Sequence, residues 1–155
     1  MKWVTREKAK VDRIACPWLI TRFIDPKAEF LFVPREQVLD VAKQQNAIPF
    51  DTPGAELHHF KDGDDERCSF DAIIRKYKLT DPALLNMAEV VRTADAHPAK
   101  PRPEGAGLEA FALGFRTNAK DDFDNMRLQF PAYDALYTYC KLTVEGKGKL
   151  EHAAR

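Results

Sequence analysis

The chain lacks any run of about 18 apolar residues, so nothing in it reads as a helix crossing a membrane. It also lacks an excess of either charge: Lys+Arg and Asp+Glu both total 24, for a formal net charge of zero. Proteins that live on nucleic acid usually carry a basic surplus, because phosphate contacts dominate their affinity. The balance here argues against nucleic acid as a partner for this chain alone. Cysteine is scarce. Cys16, Cys68 and Cys140 lie far apart with no Cys-x-x-Cys pair, so spacing gives neither a zinc ribbon nor a thioredoxin-type site. A Gly-rich phosphate loop, a His-Glu-x-x-His helix and a Gly-x-Ser-x-Gly elbow are missing as well. Met1 to Lys10 is charged and without the apolar core of a signal peptide, which makes the cytoplasm the expected location.

What is present suits one globular domain. Of 155 residues, 45% are apolar and 31% charged, enough to bury a core without staples. The domain is expected over residues 1–144, and the Gly-, Lys- and Glu-rich stretch 145–155 is expected to be a flexible polar tail. No internal repeat is visible.

The predicted fold class is α+β, with a small, mainly antiparallel N-terminal sheet packed against about six to seven helices. Trp3-Val4-Thr5 and Glu29 to Val33 are rich in residues that suit strands, as are Ile48 to Phe50 and Glu56 to Phe60. Between the first two, Val11, Ile14, Trp18, Leu19 and Phe23 recur at helical intervals. Pro17 places the predicted start of that helix near Cys16, leaving Asp12 to Ala15 as a turn. Pro34 opens a helix running to Gln45. The C-terminal half is predicted to be all helical. One helix begins near Ser69, another starts at Asp81-Pro82, and a third spans Leu108 to Phe115. Phe123 and Met126 mark a further helix, and Tyr133 to Cys140 a last one after Pro131.

The polar residues concentrate in two places. His58 and His59 sit on a presumed strand, where neighbours face opposite ways, so one of them at most lines a given site. A neutral imidazole there can bind a metal or relay a proton, and the plain alternative is a satisfied surface histidine. Arg67-Cys68-Ser69-Phe70-Asp71 falls at a helix start, where free amides favour anions and lower a thiol pKa. Cys68 is then either a reactive thiolate or small packing material, and Asp71 is a dipole complement. Asp62 to Glu66 lacks the oxygen spacing of an EF-hand and reads as a solvated loop. The second cluster is Asp12 and Arg13 beside an apolar helix, either paired internally or aimed into a cleft. Arg92 and Asp95 stand one helical turn apart, as a salt bridge would.

Several blocks together resemble the chromate-resistance (ChrB-type) domain family. They are Trp3-Val4-Thr5-Arg6, Val11-Asp12-Arg13-Ile14-Ala15-Cys16-Pro17-Trp18-Leu19-Ile20, Arg22-Phe23-Ile24-Asp25 and Phe30-Leu31-Phe32-Val33. Pro49-Phe50-Asp51, Leu57-x-His59, Arg67-Cys68-Ser69-Phe70-Asp71 and Val90-Val91-Arg92-x-x-Asp95 follow, then Pro131-x-Tyr133-Asp134-Ala135-Leu136-Tyr137. In that family the domain forms the C-terminal half of regulators linked to chromate efflux operons, and also occurs alone or joined to sulfurtransferase-like domains. The resemblance implies a role in chromate or oxyanion stress, as sensor or accessory protein. It selects His59 over His58. It also exposes a departure, since Phe60 to Arg67 form a longer connection between His and Cys than the family pattern.

Three readings follow. In the first, a ligand pocket is lined by His59, Asp12, Arg13 and Asp95, with Trp18, Arg67 and Asp71 in the ligand set. Arg13 and Arg67 suit an oxyanion, and His59 and Asp95 suit a divalent transition metal. In the second, the protein is a metal-assisted or thiol-dependent enzyme using His59 and Cys68. In the third, it is a non-catalytic interaction module. A homo-oligomer is compatible with each.

Overall fold

Trp3, Val4 and Thr5 are consecutive and all buried, the pattern of a strand covered on both faces. They form the centre of β1 (Lys2–Arg6), which is also the middle strand of a three-stranded sheet. This is a computed structural model, and it describes residues 1–146. β2 (Glu29–Val33) runs parallel to β1, in register from Lys2 with Glu29 to Arg6 with Val33. β3 (Ile48–Pro49) runs parallel along the other edge, pairing Trp3 with Ile48.

The sheet is therefore parallel, which overturns the expectation of a mainly antiparallel one. The reason is the connections. α1 (Asp12–Phe23) lies between β1 and β2, and α2 (Val38–Gln45) between β2 and β3. A helix between two strands returns the chain to the end from which it started, so the strands run the same way. The one antiparallel pair is a short hairpin, β4 (Phe60–Asp62) with β5 (Asp65–Arg67), turning at Gly63 with φ +64°. It occupies the acidic segment expected to be a loop. The strand expected over Glu56 to Phe60 is reduced to a single bridge, Leu57 against Phe50.

The rest of the described chain is helical: α3 (Ser69–Lys76), α4 (Pro82–Ala96), α5 (Glu104–Asn118) and α6 (Asp122–Val144). A 3-10 turn at Arg35–Gln37 precedes α2, and with α1 and α2 the described residues hold six α-helices. Asp81 caps α4 as expected, accepting from the Ala83 amide at 3.0 Å. Two boundaries differ from expectation. α1 begins at Asp12 and keeps Pro17 inside it, and α6 absorbs Pro131 as one helix of 23 residues. In each case burial of the neighbouring apolar face outweighs the hydrogen bond that proline forgoes.

The core joins both halves. Trp3, Ile14, Leu19, Phe50, Phe70, Ile73, Leu84, Met87 and Tyr133 are buried in one cluster. α5 approaches α4 so closely that a Cβ on Gly105 would stand 2.3 Å from Thr93 Cγ2. No helix of the described residues is long and apolar enough to cross a membrane. Of the tail expected at 145–155, residues 147–155 lie outside the described residues.

Candidate functional site

Parallel strands bring their C-terminal ends to one side of the sheet, and chain segments leaving those ends form a crevice there. β1 ends at Arg6, and the chain leaving β3 reaches Asp51 two residues on. Asp51 adopts φ +49°, a left-handed conformation that aspartate tolerates better than most residues. Its carbonyl accepts from Arg6 Nε at 3.0 Å, while Thr5 Oγ1 donates to the Phe50 carbonyl at 2.7 Å. These bonds tie the two strand ends together.

Asp12 opens α1, yet its carboxylate serves another helix. Oδ2 accepts from the Ser69 amide at 2.7 Å and Oδ1 from the Phe70 amide at 3.2 Å. The first amides of a helix have no partner inside it, so a buried carboxylate from elsewhere satisfies them. Asp71 completes the same turn, accepting from the Cys68 amide at 3.1 Å. Ser69 Oγ donates to Asp51 Oδ1 at 2.9 Å. The start of α3 is thus fastened to both Asp12 and Asp51.

His59 follows the Phe50–Leu57 bridge and points its Nε2 into this group. Nε2 stands 3.0 Å from Asp95 Oδ2, 3.4 Å from Asp12 Oδ2 and 3.4 Å from Asp51 Oδ1. Asp95 comes from the last turn of α4. The Asp12 side chain is 1% exposed, Asp51 6%, Asp95 19% and His59 29%, so the floor is buried and the imidazole looks outward. Asp12, Asp51 and Asp95 push the His59 imidazole up to about 12. Burial, and then the neighbouring Asp95, pushes the Asp12 carboxyl up to about 7. Burial also opposes the charge on Asp51, but hydrogen bonds from His59 and Ser69, with Arg13 and Arg6 nearby, hold its pKa below the usual value.

Above this floor lies a cavity of about 300 Å³. Four cations line it: Arg6, Lys10, Arg13 and Arg116. Arg6 and Arg13 each place a guanidinium nitrogen 3.6 Å from Asp51 Oδ2, and Lys10 stands 3.4 Å from Glu109.

The structure therefore brings together Asp12, Arg13, His59 and Asp95. It does not bring in the other expected residues. Arg67 and Asp71 line a separate cavity of about 500 Å³, where Arg67 pairs with Asp62 and Asp65, and Asp71 with Arg92. Arg92 thus does not pair with Asp95, one turn away, because Asp71 and His59 claim them separately. Trp18 is buried among Phe23, Tyr133 and Tyr137 and donates its indole N–H to Asp134 at 2.8 Å. Cys68 is fully buried, and burial with Asp12 and Asp71 pushes its thiol well above the usual range. That is opposite to the direction expected of a thiolate at a helix start. His58 has a buried Nδ1 with no hydrogen-bond partner among the described residues, and burial lowers its pKa.

Asp51, Arg6, Lys10 and Arg116 were not singled out by residue reasoning. For Asp51 the Pro49-Phe50-Asp51 block was an available signal. Nothing in the sequence joins Arg116 to Arg6, which are 110 positions apart.

The donor set fits a divalent cation. One ligand atom each from Asp12, His59 and Asp95 lies within 4.8 Å of the others. Two donors bonded at about 2.1 Å to one ion stand about 3.0–3.4 Å apart, and His59 Nε2 already lies 3.0 and 3.4 Å from Asp95 and Asp12. One imidazole with carboxylates suits a borderline or hard transition metal better than a soft one.

The family described as ChrB, C-terminal domain, matches residues 3–140 of this chain. Protein ChrB of Cupriavidus metallidurans is 34% identical over 140 residues, covering 89% of this chain and 40% of the relative. The chain thus spans well under half the length of that curated relative. No solved structure matches.

Proposed function

The chain belongs to the family of ChrB C-terminal domains, and from that premise we propose that it is a cytoplasmic, metal-binding sensor or accessory domain in the response to chromate. The observation that carries this reading is His59 Nε2 set among Asp12, Asp51 and Asp95 at the floor of a cavity. The metal would be held by Asp12, His59 and Asp95, with Asp51 placed beside the two arginines. The buried thiols count against a thiol-dependent enzyme, since a protonated, enclosed Cys68 is a poor nucleophile. A metal-assisted reaction would use the same three ligands, with the metal supplying Lewis acidity.

A second reading has its own support. The three carboxylates hold the His59 proton strongly, as a closed ion cluster would, and an interaction module needs nothing more. Metal analysis separates the two. Protein purified without chelator is expected to carry, or to take up, one Mn²⁺ or Zn²⁺ per chain. His59→Ala and Asp95→Ala should each weaken that binding by more than about tenfold. Absence of stoichiometric uptake by the wild-type chain would leave the ion-cluster reading in place.

A further inference from the structure

We infer that the cavity above His59 is a two-ligand site, in which a divalent cation on the carboxylate floor strengthens the hold of the cationic rim on a small tetrahedral oxyanion. This deepens the metal-binding reading and rests on it.

The rim has donors to spare. A guanidinium carries five N–H donors in a planar fork suited to oxyanions. Arg13 spends two nitrogens on the Glu7 and Lys8 carbonyls, at 3.3 and 3.4 Å, and Arg6 spends Nε on the Asp51 carbonyl. Their approaches to the Asp51 carboxylate, at 3.6 Å, are ion pairs beyond hydrogen-bond length. Arg116 reaches the cavity from α5, is exposed, and makes no ion pair among the described residues. Three arginines from three different elements therefore face one space of about 300 Å³. That volume is at the small end of ligand pockets and suits an ion with a small anion.

The floor weakens an anion's hold on those donors. Asp12, Asp51 and Asp95 line the same cavity, and two of them are almost fully buried, where like charges repel with little screening. A divalent cation on Asp12, His59 and Asp95 displaces the Nε2 proton of His59, so it adds one positive charge net at that point. The repulsion is then reduced, and the anion meets the cation below and guanidinium groups around it. Binding free energies are reciprocal, so the anion must tighten the cation by the same factor. Arg116 should matter to the anion more than to the cation, because it sits on the rim and not the floor.

Calorimetric titration of sulfate into the full chain, stripped of metal and then loaded with Mn²⁺, reads this coupling. Sulfate should bind the loaded protein at least about tenfold more tightly, with a matching gain in Mn²⁺ affinity when sulfate is present. Arg116→Gln should weaken sulfate binding to the loaded protein about fivefold or more, with Mn²⁺ affinity held within about twofold. Arg13→Gln gives a second measure from a different element. Chromate should likewise bind Zn²⁺-loaded protein more tightly than metal-free protein. Equal sulfate affinity with and without Mn²⁺, or no change in both arginine variants, overturns the inference and leaves the metal reading standing. Failure of the wild-type chain to bind Mn²⁺ overturns both.

Discussion

Arg92 of α4 grips Asp71 of α3 with two hydrogen bonds, Nε to Oδ2 at 3.0 Å and a terminal nitrogen to Oδ1 at 2.8 Å. The two side chains are only 11% and 9% exposed. Asp71 also accepts from the Cys68 amide, so this pair holds the same helical turn that Asp12 caps from the other side. One turn of α3 thus links the candidate site to the helical half of the protein.

Removing one partner of a buried ion pair leaves the other charge uncompensated. Arg92→Gln is therefore expected to cost about 3 kcal/mol in urea unfolding. Adding Asp71→Asn should return part of that loss, because the orphaned charge goes with it. A loss below about 1 kcal/mol in the single variant would show that the pair is dispensable.

All three cysteines are buried, and burial raises the thiol pKa of each. A disulfide reagent such as Ellman's reagent is expected to label none of them within minutes in the native protein, and all of them after unfolding. Rapid native labelling of Cys68, identified by mass spectrometry, would contradict its placement behind the α3 turn.

The pKa values of the two adjacent histidines should be shifted in opposite directions in metal-free protein. Burial, then the nearby His59, lowers the His58 pKa below its usual 6.5, whereas Asp12, Asp51 and Asp95 raise that of His59 to about 12. His59 should therefore keep the ring shifts of a protonated imidazolium from about pH 6 to about pH 9, with His58 neutral over the upper part of that range. The sign of the linked stability follows. A raised pKa means that the contribution of His59 is complete below its unfolded value of 6.5 and is lost as pH climbs towards 12. The stability gap between wild type and His59→Gln should accordingly narrow as the solution becomes more alkaline. A gap that widens would place the proton elsewhere.

The amino-acid order by itself determined the local features of this protein. Trp3 to Thr5 and Glu29 to Val33 carry strand composition, Asp81-Pro82 writes a helix start, and the apolar spacing from Phe70 onward writes helices. Each signal is complete within a few residues, since caps and periodicity act between near neighbours. The blocks around Asp12, His59 and Asp95 likewise marked the family and three members of the candidate site.

The tertiary structure decided what depends on residues far apart. Strand direction was set by α1 and α2 acting as crossovers, not by the composition of the strands they join. Arg92 and Asp95 had the spacing of a pair, yet Asp71 and His59, 21 and 36 positions away, took them instead. Asp51, Arg6 and Arg116 entered the site because parallel strand ends and the neighbouring α5 helix converge on one crevice. Local propensity fixes which segments fold as helix or strand. Only the burial of their shared core fixes which charges must then find one another.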